Sequence, residues 1–249
     1  LSLPSYNTAD DNRITLATNP AAPQKTFALV GASNANTFLG IWFSTDKGAT
    51  WTKKNMPTSD AAQSRLNQGI AVNVNRVFVG YNAGVTFYSS DDGNSWNLSS
   101  WTHPDVHKIH AYNTSTIYEV NDGGFYRSTN SGVNWNTVGN KFLQINQSYA
   151  ITASTSLPNT AWIGTQDNGL AKGYDNLFNW DILACCDAGV YFQFGGYEYM
   201  AWEGGSPGDN RLQRRVVGSA GAFLPFSQGI GGGSTVHGQL PPKDFYVEA

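Results

Sequence analysis

Short apolar stretches, rich in β-branched and aromatic residues, recur along the whole chain and are cut apart by clusters of Asn, Asp, Gly and Ser. Stretches such as Thr26–Ala32, Arg76–Tyr81 and Ala161–Thr165 are of strand length, and the polar clusters between them carry turn chemistry. No helical period lasts longer than a turn or two, so the pattern predicts an all-β chain.

The predicted strands fall into groups of four. The first group is Arg13–Thr18, Thr26–Ala32, Gly40–Thr45 and Thr50–Lys54. The second is Gly69–Val74, Arg76–Tyr81, Val85–Ser90 and Ser95–Leu98, and the third is Val106–Tyr112, Thr116–Val120, Gly124–Thr129 and Asn134–Val138. The fourth is Ser148–Ala153, Ala161–Thr165, Gly169–Gly173 and Asn179–Leu183. A fifth uses Gly189–Phe194, Tyr197–Trp202 and Leu212–Val217.

One turn recurs between the last two strands of a group. It reads Ser44-Thr45-Asp46-Lys47-Gly48-Ala49-Thr50-Trp51, then Ser89 to Trp96, then Ser128 to Trp135, with a worn copy from Gly173 to Trp180. The copies start 45, 39 and 45 positions apart. That period, with four short strands per copy, is the size of one propeller blade. The pattern S-x-D-x-G-x-x-W has a local reason. Asp46, Asp91, Asn130 and Asp175 accept backbone N–H bonds inside the turn, so they are expected to be structural. Gly48, Gly93 and Gly132 suit a positive φ, and the closing Trp supplies an apolar plug.

The expected fold is therefore a β-propeller of four-stranded blades in a single domain, residues 1–249. The blades cover about 11–55, 66–99, 103–139, 145–184 and 187–226, and 227–249 forms a linker in which Asp244–Glu248 begins a further blade. About five blades are few for a closed ring, and an open ring leaves strand edges exposed. Further blades from the same or another chain are thus expected to complete it.

The repeated turn resembles the Asp-box (BNR) repeats of sialidases, xyloglucanase-type glycoside hydrolases, sortilin-type receptors and many secreted bacterial proteins. The resemblance implies the propeller fold and leaves function open, because enzymes and binding proteins share the repeat.

Strand order divides the chemistry between two faces. The box turns lie on one; the turns between second and third strands, and the connections between blades, lie on the other, where propellers of this kind bind ligands. That second face carries Tyr81-Asn82-Ala83-Gly84, Asn121-Asp122-Gly123-Gly124, Gln166-Asp167-Asn168-Gly169 and Glu203-Gly204-Gly205. Asn-Gly and Asp-Gly are also ordinary hairpin turns. The connection His103-Pro104-Asp105-Val106-His107 joins them. If extended, it points His103, Asp105 and His107 to one side, either as ligands for a divalent metal such as zinc or as a polar cluster. Gln147, Tyr149 and Gln166 add polar groups to the rim, and Asp187 opens the fifth blade. Converging Asp122, Asp167 and Asp187 would supply the acid and the base or nucleophile of a glycosidase.

From His103 to Gly169 the chain is similar to a subgroup of large secreted BNR-repeat proteins, in which H-x-D-x-H precedes N-D-G-G, Q-x-Y, T-Q-D-N-G and G-G-D-G. The last element departs here, with Cys185-Cys186-Asp187-Ala188 in its place. Asp122 also lies in a segment similar to the D-x-G-G-x-Y of xyloglucanases, which implies an acid or base role. Sialidase chemistry needs an arginine cluster, and only Arg13 and Arg65 are placed for it.

Composition narrows the partners. Net charge is −3 with no basic stripe, which argues against nucleic acid, and no apolar run reaches membrane-spanning length. The Asn-, Ser-, Thr- and Gly-rich surface with few lysines suggests an extracellular or cell-surface place. The two cysteines, Cys185 and Cys186, are neighbours and cannot staple distant segments; they form a vicinal disulfide or two small core residues. No cofactor is required beyond the divalent metal already considered. The reading that follows is a secreted or surface module that binds a glycan or protein ligand. The alternatives are a xyloglucanase-like hydrolase and a structural scaffold. Tyr81, Tyr112 and Trp202 can stack on sugar rings or pack in the core.

Overall fold

A computed structural model describes residues 13–32, 37–58, 63–137, 146–154, 157, 159–174, 179–184, 187–202, 212–219 and 224–225. The fourth box residue Asp175, the Cys185-Cys186 pair, the Glu203-Gly204-Gly205 turn and the segment Asp244–Glu248 lie outside them.

Five four-stranded antiparallel sheets follow one another in sequence. The first contains β1 (Arg13–Thr18), β2 (Thr26–Gly31), β3 (Phe38–Ser44) and β4 (Thr52–Lys54). The second contains β5 (Gly69–Val72), β6 (Val77–Gly80), β7 (Val85–Ser89) and β8 (Asn97–Trp101). The third has β9 (Lys108–Ala111), β10 (Ile117–Asn121), β11 (Gly124–Ser128) and β12 (Asn136–Thr137). The fourth has β13 (Ser148–Ala153), β14 (Ala161–Thr165), β15 (Gly169–Tyr174) and β16 (Asn179–Ala184). The fifth has β17 (Ala188–Phe194), β18 (Tyr197–Trp202), β19 (Leu212–Val216) and β20 (Leu224–Pro225). Each pairs only with its sequence neighbours, which is the up-and-down order of a propeller blade.

Two compact units result, Leu1–Ile145 with the first three blades and Asn146–Ala249 with the last two. In the first unit the apolar cores lie in the seams between blades. Phe27, Leu29, Ile41 and Phe43 of blade one meet Ile70, Val72, Val77, Val79 and Phe87 of blade two. Phe27 and Phe43 stack with centroids 4.6 Å apart. The next seam joins Ala71 and Phe78 to Val106, Ile109, Ile117, Tyr126 and Trp135. Each fully buried side chain of this size contributes roughly 1.5–3 kcal/mol. Val106 fits that seam because Gly69 and Gly80 leave room; a Cβ on Gly80 would stand 2.7 Å from Val106 Cγ1. In the second unit Trp162, Leu170, Ala188, Tyr191 and Met200 form the seam, and the Gly164 backbone lies directly against the Gly189 carbonyl oxygen.

The repeated turns have the expected hydrogen bonds. Ser44 Oγ accepts from the Gly48 N–H at 2.8 Å and donates to Asp46 Oδ1 at 2.7 Å. Asp46 Oδ1 then accepts from the Thr50 N–H at 2.8 Å, and Oδ2 from the Thr50 hydroxyl at 2.7 Å. Ser89, Asp91, Gly93 and Ser95 repeat this set. In the third copy Asn130 Oδ1 keeps the backbone bond from Asn134 at 2.9 Å. The bonds from Thr50, led by its hydroxyl, hold the Asp46 carboxyl down to about 2; those from Ser95 and Ser89 hold Asp91 lower still. Gly48, Gly93 and Gly132 have φ of 87°, 82° and 78°. The residue before each, Lys47, Asp92 and Ser131, is also left-handed, at 60°, 56° and 62°. The Trp plug is realised fully at Trp135, which is buried. Trp51 and Trp96 are partly buried, and Trp180 is exposed, lying over Gly173 instead of inside a seam.

Candidate functional site on the face opposite the repeated turns

The H-x-D-x-H connection is not extended. Asp105 has φ of +65°, and β9 starts at Lys108, two residues later than the apolar pattern predicts. Alternation therefore fails, and the three side chains go to different partners. The His103 ring lies over Gly123, occupying the space a Cβ there would need, and its Nδ1 is 3.1 Å from the Pro104 carbonyl oxygen. Asp105 Oδ1 accepts from Asn67 Nδ2 at 2.5 Å. His107 Nε2 is 2.5 Å from Asp122 Oδ1, and its Nδ1 is 3.5 Å from the Leu66 carbonyl oxygen. His103, Asp105 and His107 do not gather as one set of metal ligands among the described residues; the oxygens that come together in this unit, within 4.8 Å, are those of Asp105 and Asp122.

Asp122 is placed by a relay of buried polar groups. Asn121 Oδ1 accepts from the Gly123 N–H at 3.1 Å, which closes the turn around Asp122. Asn121 Nδ2 donates to Glu119 Oε1 at 2.9 Å, and the Thr86 hydroxyl of blade two donates to Glu119 Oε2. Glu119 is 1% exposed. Burial pushes its carboxyl up, while the bonds from Thr86, Thr102 and Asn121 pull the other way. Sequence reading missed Glu119 because a lone Glu in an alternating strand reads as a solvent-facing residue. Its position between Val120 and Tyr118, opposite Ile109, was the available signal.

Asn67 and Trp101 were also missed. Asn67 is buried just ahead of β5. Trp101 is 64% exposed at the end of β8, with its ring 6.0 Å from His103. It is an exposed aromatic on this rim of the first unit, whereas Tyr81 is fully buried in the first seam. Tyr112 is exposed at the opposite end of blade three, beyond β9.

In the second unit Asp187 Oδ1 accepts from the Asp167 N–H at 2.9 Å. Asp187 thus caps the β14–β15 turn, in which Asp167 is left-handed with φ of 59°. The Gln166 N–H donates to the Gln147 carbonyl at 2.9 Å, and Tyr149 lies on β13. On the opposite, box-turn face of the first unit, Lys25, Asn73, Arg76 and Asp92 line an open polar pocket of about 400 Å³.

The sequence model of a family described as the DUF6242 beta propeller domain matches residues 42–174, more than half of the chain. No curated protein matches. Among solved structures, the chain is similar to the GH74 enzyme of Niastella koreensis at 20% identity and a TM-score of 0.40, covering 84% of this chain and 30% of that one. It is similar to the GH74 xyloglucanase of Xanthomonas campestris at 17% identity and 0.40, covering 85% and 31%. YCF48 from Cyanidioschyzon merolae gives 14% and 0.41, covering 84% and 83%. The chain thus spans about 30% of the length of the GH74 enzymes it matches.

Proposed function

The chain belongs to the DUF6242 beta propeller domain family, and from that premise we propose that it is a ligand-binding or adhesion module of the extracellular space or cell surface, with blades of the Asp-box (BNR) type. A glycan is the favoured ligand, taken on the face of the first unit that carries Trp101, His103, His107 and Asp122. The observation that supports this most is the engagement of the rim carboxylates. Asp122 is held by His107 and Asp105 by Asn67. These are the contacts of fixed recognition groups, pre-organised to accept hydroxyl hydrogen bonds beside an exposed indole.

Hydrolysis is the runner-up. An inverting glycosidase separates its carboxyls by about 6.5–9.5 Å to admit a water. A retaining one sets them about 5–5.5 Å apart, and Asp105 and Asp122, with oxygens within 4.8 Å, are nearer to that spacing, which keeps hydrolysis as the second reading. The binding reading is tested by retention of the protein on immobilised extracellular polysaccharides. Wild type is expected to be retained, and Trp101→Ala to lose retention while keeping its fold. Equal retention of both on every polysaccharide would sink the proposal.

A further inference from the structure

We propose that the polar pocket on the box-turn face of the first unit binds a hexuronate, a sugar that carries one carboxylate, with Arg76 as the group that grips the carboxylate. The pocket has a volume of about 400 Å³, which is the size of a small-ligand site. Its wall is fixed. Asn73 is 3% exposed and spends its side chain on structure. Its Oδ1 accepts from the Asn75 and Arg76 N–H groups at 2.9 and 2.8 Å, and its Nδ2 donates to the Asn113 and Thr114 carbonyl oxygens at 3.2 and 3.3 Å. The hairpin between β5 and β6 is thereby tied to the next blade.

The charges of the lining do not cancel. Lys25 donates to both Asp92 carboxylate oxygens, at 2.8 and 2.9 Å, so those two charges neutralise each other. Arg76 makes no ion pair among the described residues. Its guanidinium lies 4.4 Å over the Tyr88 ring, and Nη1 donates to the Ser131 carbonyl oxygen at 2.6 Å. Of the five N–H donors of an arginine, one is thus used, on a neutral acceptor. A planar guanidinium held in this way is pre-organised for two parallel bonds to one carboxylate. The pocket accordingly calls for a single negative charge on its ligand.

The rest of the lining selects what carries that charge. The Ser90 hydroxyl and the Asn75 carboxamide line the pocket beside Asp92 and make no hydrogen bond among the described residues. Together they offer donors and acceptors to several hydroxyls, as a sugar ring presents them. A ligand of mostly apolar surface would leave these groups unpaired. The pocket lies on the face away from Trp101 and Asp122, so the proposal does not rest on the glycan reading of that face.

The test is a ligand-observed NMR titration of the 249-residue chain with sodium D-glucuronate, D-glucose and N-acetyl-L-glutamate, at neutral pH and low salt. Wild type is expected to bind glucuronate saturably with a Kd of about 1–10 mM, as the few atoms of a monosaccharide allow. The two comparison ligands are expected to bind at least about tenfold more weakly. Arg76→Gln removes the fork and is expected to weaken glucuronate at least about tenfold. Val74, 50% exposed on the hairpin, also lines the pocket, and Val74→Trp is expected to abolish binding by filling it. Circular dichroism identifies any variant that fails to fold, and Val74→Trp decides where Arg76→Gln does not fold. No saturable glucuronate binding by wild type up to about 100 mM, equal affinity for glucose, or unchanged affinity in the variants overturns the proposal. Equal affinity for N-acetylglutamate also overturns it, because the site would then take an anion without regard to the sugar.

Discussion

Lys25, immediately before β2, reaches Asp92 in the repeated turn of the next blade, Nζ to Oδ1 at 2.8 Å. One blade on, the pattern repeats at equivalent positions: Arg76, immediately before β6, reaches the Ser131 carbonyl oxygen at 2.6 Å. Asp92 and Ser131 are both the left-handed residue ahead of the box glycine. In blades one and two, a cation just before the second strand thus holds the following blade's turn, on the face away from the candidate site. Both partners of the first link are about a third or more exposed. A double-mutant cycle on Lys25→Ala and Asp92→Ala is expected to give a coupling of no more than about 1 kcal/mol, falling with salt. Chemical denaturation at two ionic strengths measures it, and a salt-independent coupling would contradict the solvent-exposed pairing.

Acid sensitivity follows from the box turns. The folded Asp46 carboxyl is lowered to about 2 from an ordinary 3.8. Its contribution is therefore fully present above 3.8 and is lost as pH falls through the folded value. Asp46→Asn keeps the backbone bond, as Asn130 does in the third copy. The melting temperature of wild type is expected to exceed that of Asp46→Asn at neutral pH, with the gap closing as pH drops from about 4 to 2. Calorimetric melts across that range check it; a gap that widens in acid would contradict the turn's role.

Glu119 has the opposite sign. Its folded value is raised above the ordinary 4.5, chiefly by burial. The stability it contributes is present below 4.5 and is lost as pH rises through the folded value. Glu119→Gln removes that titration while preserving shape. Stability profiles are expected to converge in acid, with the variant the more stable at higher pH. A variant that is less stable at every pH, by the same amount, would show that the carboxyl is not the cause.

Much of the fold was legible because one local device repeats. Ser44, Asp46 and Gly48 specify a turn by bonds within a few residues, so three copies set both the period and the strand boundaries. β8 begins at Asn97 and not at Ser95 because Ser95 is bound into the turn by Asp91. The site was less legible because its contacts are long-range. Nothing near Asp105 in sequence announces Asn67, and nothing near Asp122 announces the Thr86–Glu119 link across a blade seam. His103, Asp105 and His107 looked like one set because alternation was assumed where Asp105 is left-handed. Trp180 followed the motif but not its packing, because a large side chain is placed by what surrounds it.

The binding account stands or falls on Asp122. The decisive measurement incubates wild type and Asp122→Ala with soluble xyloglucan and related β-glucans and follows new reducing ends together with bound polysaccharide. The account predicts no reducing ends from either protein, and bound glycan that falls at least about tenfold in Asp122→Ala through loss of a charged hydrogen-bond acceptor. Reducing ends released by wild type and abolished in Asp122→Ala would contradict it and establish Asp122 as a catalytic carboxylate.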